Sequence, residues 1–305
     1  MTDPTTPTRP TRSARVLAGA LEPFAGQVYF SPECHEAYAQ LGFAASPITL
    51  KGVAMPDGAA YFCSRGSVLG QVPGEVVAAA FAVFNPAVVV PAVAFGWSLT
   101  DAATIESRRS EGAVAQLVRI LGDAPEGVER SAALLERAGR DLAVAGKPLY
   151  AGLMAQPAAP GTLGAAWRYA DRLREYRGDA HIAAWTAAGF DAVEIGLLTE
   201  PYWGVPARSY IRTRAWSDDD LDEAQRRLAS RGLLDSGQLS PEGRSRREEV
   251  EIATDLQCSP ILDNLGDDFE ELVGTLDDWG AAIRAAGGYP AEGPHDLATA
   301  NQGRD

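Results

Sequence analysis

The chain has 305 residues, of which 46% are hydrophobic and 22% are charged, as in a globular protein long enough for two domains. The formal net charge is −14, and residues 217–284 alone hold 18 acidic residues against 7 arginines. Because duplex binding depends on cations that displace condensed counterions, this last third is a poor surface for a polyanion. The three cysteines are widely spaced and predict neither a disulfide framework nor a zinc site, so we expect a protein of the reducing cytoplasm.

The N-terminal segment, residues 1–14, is rich in threonine, proline and arginine and lacks the apolar run of a signal peptide. We expect a disordered tail there, followed by a first helix. Further on, Ser31, Pro32 and Glu33 form a helix-start pattern, with serine at the N-cap and an acid in the first turn. Glu33 is therefore either a capping residue or, together with the nearby Tyr29, a candidate for a functional site.

Residues 76–97 carry no charge over a length close to that of a bilayer span. Asn85, Pro86 and Pro91 interrupt this run, and no basic flank accompanies it. Since proline breaks a helix and disfavours helical backbone in the residue before it, we expect two buried helices rather than a membrane span.

The first half of the chain, residues 15–155, has helical patterns throughout and no nucleotide-binding glycine motif. Residues 156–161 are dense in proline and glycine, which is typical of a linker. We therefore expect an N-terminal helical domain over 15–155 and a second domain over 160–286. A polar, disordered tail over 287–305 would follow.

The most unusual stretch, residues 173–185, sets several charges against an apolar run. On a helix, Arg174, Arg177, His181 and Trp185 share one face. Two guanidiniums beside an imidazole suit an anion or a carbonyl group, because arginine can bind a carboxylate with two parallel hydrogen bonds.

A carboxylate close to His181, either Asp179 or Glu33, could add proton transfer near neutral pH. The alternative for Asp179 is structural. In that interpretation Gly178 breaks or kinks the helix, and Asp179 caps the next helix as it enters the core. The sequence leaves both interpretations open.

The second half has clear boundary signals. Ser217 caps a helix over 218–230 whose acids lie in the first turn and whose arginines lie near the end, as the helix dipole favours. Residues 230–243 then have the pattern of strand, tight turn at Asp235-Ser236-Gly237, strand, and a new helix start at Ser240.

Residues 216–255 resemble a MarR-like winged helix through Leu228, residues 231–234, the turn at 235–237, and residues 239–244. The whole chain is also similar to a poorly characterised family of high-GC bacteria, named for this helix-turn-helix region, through residues 29–33, 84–86 and 174–181. The resemblance implies a mainly α fold with two helical halves, the C-terminal one a winged-helix-like module with a short β-wing. It also implies one possible function, a ligand-responsive regulator that binds DNA.

The charges depart from the regulator pattern. A recognition helix presents its N-terminal residues to the groove while nearby cations hold the phosphates. Here that end holds five carboxylates, and the wing turn has no cation; the acids are Asp218, Asp219, Asp220, Asp222 and Glu223. Only Arg208, Arg212 and Arg214, just before the helix, keep DNA binding open.

We therefore expect a protein that handles a small anionic or carbonyl compound, as an enzyme or a ligand binder and in biosynthesis, on a scaffold that has lost DNA binding. The pocket would lie between the two halves. Its predicted substrate-binding residues are Arg174, Arg177, Tyr29, Asn85 and Arg108, and its predicted catalytic residues are His181, Asp179 and Glu33.

No Ser-His-Asp order, metal-ligand spacing or phosphate loop is visible, so we expect neither a metal nor a cofactor. Two alternatives remain. One is the MarR-like regulator, and the other is a structural protein that binds a partner through its acidic surface. A homodimer and a partner subunit are both compatible with the sequence.

Overall fold

The structure, a computed structural model, describes residues 13–290, so most of both predicted tails lies outside the described residues. Within that range the chain is mainly α-helical, which confirms the expected fold class. The helices are α1 (Ala14–Gly26), α2 (Pro32–Ala39), α3 (Gly58–Gly66), α4 (Gly74–Phe81), α5 (Pro86–Leu99), α6 (Ala102–Leu121), α7 (Val128–Ala138), α8 (Pro148–Met154), α9 (Gly161–Ala187), α10 (Ala192–Trp203), α11 (Asp218–Ser230), α12 (Pro241–Gln257), α13 (Ser259–Leu265) and α14 (Phe269–Ala285).

The described range also contains two short antiparallel hairpins. Strands β3 (Leu234–Asp235) and β4 (Gln238–Leu239) pair across the turn at Ser236 and Gly237, which confirms the predicted wing. Strands β1 (Thr49–Leu50) and β2 (Val53–Ala54) form a second hairpin, which the sequence did not predict.

The predicted helix starts are confirmed by their hydrogen bonds. The hydroxyl oxygens of Ser31, Ser217 and Ser240 accept the backbone N–H groups of the residues three positions on, at 3.1, 3.2 and 2.9 Å. Each bond satisfies a donor that the first turn leaves without an intrahelical partner. The apolar run breaks between α4 and α5 as expected, and Asn85 caps α5.

The predicted break at Gly178 is wrong, because α9 runs without interruption from Gly161 to Ala187. A glycine inside a helix costs only about 1 kcal/mol relative to alanine. The helix buries Tyr176, Ala180 and Trp185 around this position, and that packing offsets the cost. Asp179 is therefore an interior residue of α9 and does not cap it.

The hydrophobic core consists of two clusters that meet on α9. The larger cluster joins α1–α8, α9 as far as Ala180, α13 and α14, and the smaller joins the end of α9 to α10, α11, α12 and the wing. Tyr289, after α14, is also buried in the larger cluster. The domain boundary at 156–161 stays a prediction, but α9 supports both cores and fixes the winged-helix-like region (α10–α12 with β3 and β4) against the N-terminal helices.

Among the described helices, none is by itself both long and apolar enough to cross a bilayer. Two consecutive pairs, α5 with α6 and α9 with α10, reach that length and apolarity only together, across bends of 93° and 107°.

Candidate functional site

A cavity of about 510 Å³ lies between the N-terminal helices and the winged-helix-like region. This volume is within the usual range for a small-molecule site. Its wall is formed by α1, α3, α9, α10, α12 and a 3-10 turn, Ile211–Arg214, that precedes α11. Among the described residues, ten aromatic side chains, six arginines and three glutamates line it. The charged residues are Arg15, Arg65, Arg174, Arg177, Arg214, Arg247, Glu22, Glu175 and Glu251.

Glu175 is the centre of the first charge network. Arg65 donates two hydrogen bonds to its carboxylate, at 2.9 and 2.8 Å, and Arg174 donates one at 2.8 Å. The Tyr29 hydroxyl donates another at 3.3 Å. Burial alone would raise the pKa of Glu175, but the Arg65 and Arg174 charges outweigh it and lower the pKa to about 2. The carboxylate is therefore ionised at every physiological pH.

Arg174 is held between two carboxylates. Besides Glu175, it donates two hydrogen bonds to Glu22 on α1, at 2.9 and 3.1 Å, and its guanidinium lies over the Tyr29 ring at 5.1 Å. The Tyr289 hydroxyl also donates to Glu22, at 3.1 Å. The donors of Arg174 are thus largely occupied by the protein itself.

Glu251 on α12 is the centre of the second charge network. Arg177 and Arg247 each lie 2.8 Å from its carboxylate oxygens. Burial would raise the pKa of Glu251, but the Arg247 and Arg177 charges outweigh it and lower the pKa well below its ordinary value. Arg177, like Arg174, is therefore already paired.

His181 is neutral at physiological pH. Its Nδ1 lies 3.0 Å from the Thr254 hydroxyl oxygen, and that hydroxyl donates to the Val250 carbonyl at 2.8 Å. Since the hydroxyl proton is already used, Nδ1 carries the ring proton, and Nε2 is a hydrogen-bond acceptor. Burial, with the Arg247 and Arg177 charges, lowers the pKa of His181 to about 3 although Glu251 acts in the opposite sense. The ring therefore suits hydrogen bonding better than the proton transfer expected near pH 7.

Several buried N–H groups in the cavity wall have no acceptor among the described residues. Those of Arg177 and Arg247 belong to guanidiniums already paired with Glu251, and the other two belong to Arg214 and Trp185. The Arg214 guanidinium lies over the rings of Phe84 and Tyr210, at 4.7 and 4.5 Å, and its buried Nε has no acceptor. Trp185 is 6% exposed, and its indole N–H has no acceptor either. Both donors were missed as site residues. From the sequence, Arg214 was grouped with Arg208 and Arg212 as a cation that could face DNA. Trp185 was predicted to share a helix face with Arg174, Arg177 and His181 but was given no role.

The structure brings four of the predicted site residues together and leaves four elsewhere. Tyr29, Arg174, Arg177 and His181 line the cavity. Asp179 points away from it and accepts the Tyr150 backbone N–H at 3.0 Å, in the first turn of α8.

The other three have structural partners outside the cavity. Glu33 binds Arg119 at 2.5 Å, the exposed Arg108 binds Glu111 at 2.9 Å, and Asn85 accepts from the Ala87 N–H at the start of α5. Residues 13–290 contain no group of three or more metal-ligating side chains placed to hold an ion.

The exposed face of α11 is acidic, and two of the three arginines just before it form ion pairs with its carboxylates. Arg208 donates to Asp222 at 2.5 Å, and Arg212 donates to Asp218 at 2.6 Å. Of the three arginines that kept DNA binding open, two are thus paired with carboxylates of α11, and Arg214 lines the cavity.

One of three comparisons with known proteins gives a match, and that match covers both halves of the chain. No curated protein and no solved structure matches the chain. A family model described as a helix-turn-helix family matches residues 14–290, which is most of the chain. The closer likeness to MarR-type proteins stays a prediction. The chain belongs to this helix-turn-helix family.

Proposed function

We propose that this protein binds a small, largely apolar anion in the cavity between its N-terminal helices and its winged-helix-like region. One observation carries the proposal. In a protein of net charge −14, a cavity walled by aromatic side chains has twice as many arginines as carboxylates in its lining. Such a wall favours a ligand with an apolar body and a negative charge.

The polar groups in the wall favour binding over covalent catalysis. Neutral His181 offers an acceptor for a hydroxyl or N–H group of the ligand. Cys258 also lines the cavity, but burial raises the pKa of its thiol to about 11, so the thiolate that a nucleophile needs is scarce.

Filling the cavity tests the proposal. Gly178 lies in its wall, and a Cβ added there would meet only the Glu175 Oε2, at 3.5 Å. We expect Gly178→Leu to fold, since leucine favours a helix over glycine, and to occupy space that a ligand needs. In a thermal-shift screen of organic acids and neutral compounds, those that stabilise the wild type should bind the variant at least about 10-fold more weakly, a loss of roughly 1.4 kcal/mol.

Gly274→Leu is the matched control. Gly274 is also an interior glycine of a helix, α14, and a Cβ there would meet nothing within 4 Å. It does not line the cavity. Equal ligand shifts in the two variants would mean that the compounds bind elsewhere, and the cavity proposal would fail.

A ligand-responsive regulator is the second candidate, and specific contacts favour it. The Asn85 N–H donates to the Arg214 carbonyl at 3.0 Å, and the Trp216 indole donates to the Val83 carbonyl at 2.9 Å. These bonds connect the cavity wall to the residues that lead into α11. A ligand that moves the wall would therefore change the position of that helix.

The charge of α11 opposes this second candidate. We expect no sequence-selective DNA binding at physiological salt, because phosphates would face the carboxylates of its first turns. Fluorescence anisotropy with genomic fragments, measured over a salt series with and without ligand, decides between the candidates. Tight and selective capture that weakens steeply with salt would favour the regulator.

A further inference from the structure

Arg214 differs from every other arginine in the cavity wall. The other five have carboxylate partners: Arg15 binds Glu248 and Asp255, Arg65 binds Glu175, Arg174 binds Glu22 and Glu175, and Arg177 and Arg247 bind Glu251. Within residues 13–290, Arg214 has no such partner, and its contacts are the two rings of Phe84 and Tyr210. The positive charge of Arg214 is therefore the one in the wall that the described residues do not neutralise.

Contact with the two rings leaves the hydrogen-bond donors of the Arg214 guanidinium available to an anion. Its Cζ lies over the faces of both rings, which stabilise the cation but supply no oxygen acceptor for its N–H donors. The buried Nε without an acceptor is one of them. A buried donor without an acceptor carries a desolvation cost, which a bound anion would remove.

Trp185 supplies a second donor of the same kind. Its side chain is more than nine-tenths buried, it lines the same cavity, and its indole N–H can only donate. No described residue accepts from it. Buried N–H groups of Arg177 and Arg247 also lack acceptors, but Glu251 pairs with both of these guanidiniums. Arg214 and Trp185 have no carboxylate partner within residues 13–290, so their free donors indicate a ligand that carries the missing acceptors.

We propose that Arg214 and Trp185 form the anion subsite of the cavity, and that the ligand is a carboxylic acid with an aryl or alkyl body. This inference rests on the proposed function of the same cavity. A carboxylate fits because its two oxygens match the fork of a guanidinium and its single charge matches the single unpaired cation. A phosphate monoester would bring nearly two charges to that one cation. The surrounding aromatic wall then accommodates the apolar body.

Matched acid and amide pairs test the subsite, because they differ chiefly in charge. Isothermal titration of the full chain would compare benzoate, 3-phenylpropanoate, 5-phenylpentanoate and hexanoate with their primary amides. We expect the wild type to bind at least one acid roughly 10- to 100-fold more tightly than its amide, as a hydrogen bond to a charged group implies. Arg214→Met should abolish this preference and leave amide binding within about 3-fold of the wild type, a change of less than 1 kcal/mol.

Three further measurements keep the result interpretable. Arg214→Lys keeps the charge without the fork and should restore part of the acid preference. Arg226→Met removes an exposed arginine of α11, outside the cavity, and should change nothing. In the wild type, the acid should shift the NMR resonance of the Trp185 indole N–H, assigned with Trp185→Phe, to lower field.

The inference is overturned if no acid is preferred over its amide, if Arg214→Met retains the preference, or if the Trp185 resonance does not move. These results are distinct from a failure of the cavity itself. If amides bind as tightly as acids, and Gly178→Leu weakens the binding of both, the cavity proposal stands and only the anion subsite is wrong. If Gly178→Leu does not weaken the binding of any compound, both the cavity proposal and the anion subsite are wrong.

Discussion

Replacing Glu175 by glutamine is expected to reduce the free energy of unfolding by about 3–5 kcal/mol, the usual cost of leaving a buried charge without its partner. Glu175 is 2% exposed and is the only carboxylate that binds Arg65 within the described range. The variant would leave the Arg65 guanidinium buried beside Arg174, with no negative charge between them. Urea unfolding followed by circular dichroism at pH 7 measures the loss.

A surface pair provides the control. Arg130 binds the carboxylate of Glu271, whose side chain is 50% exposed. Glu271→Gln should therefore change the free energy of unfolding by less than about 1 kcal/mol. If Glu175→Gln is equally mild, then the network around Glu175 does not fix the wall of the cavity, and our description of the site is wrong.

Asp179 is expected to make the free energy of unfolding depend strongly on pH. Burial, reinforced by the Glu175 charge and opposed by the hydrogen bond from the Tyr150 N–H, raises the pKa of Asp179 to about 7, above the ordinary 3.8. A raised pKa in the folded state gives stability that is fully present below pH 4 and is lost as the pH rises through 7. Because one pKa unit corresponds to about 1.4 kcal/mol, the loss is about 4 kcal/mol.

Asp179→Asn should remove this dependence, since an amide oxygen can still accept the Tyr150 N–H and cannot ionise. The difference in unfolding free energy between variant and wild type should move in favour of the variant by about 4 kcal/mol from pH 4 to pH 8. The comparison with the wild type is needed because His181 has the opposite effect on stability. Its pKa is lowered to about 3, so the stabilisation that the neutral ring provides is lost as the pH falls from 6.5 through 3. Both proteins contain His181, so its contribution cancels in the difference. Parallel pH profiles would contradict the role given to Asp179.

Asp179 and His181 also show where sequence reasoning on the site failed. They are two residues apart, and on an uninterrupted helix two residues differ by about 200° around the axis. The continuous α9 places Asp179 against α8 and His181 in the cavity.

Much of the fold could be predicted because its signals are local. A serine cap needs only its own helix start, which is why Ser31, Ser217 and Ser240 were recognised. The wing likewise depends on one turn and its neighbours. The continuity of α9 depends on packing against distant helices, and no local pattern records that packing.

The site could be predicted in part, for the same reason. The shared face of Arg174, Arg177 and His181 follows from spacing. Apart from Glu175, which is adjacent to Arg174, their charged partners lie on α1 and α12, far away in sequence. No pattern separates Arg214 from Arg208 and Arg212 either. Only the three-dimensional structure shows that Arg214 contacts Phe84, whereas Arg208 and Arg212 bind carboxylates of α11.

The most direct test of the whole account is a crystal structure of the protein with the tightest-binding acid of the matched pairs. We expect the acid between α9 and the turn at residues 211–214, with its carboxylate within hydrogen-bond distance of Arg214 and its body against the aromatic wall. An acid bound on α11, on the wing or elsewhere on the surface, with only water in the cavity, would contradict the account.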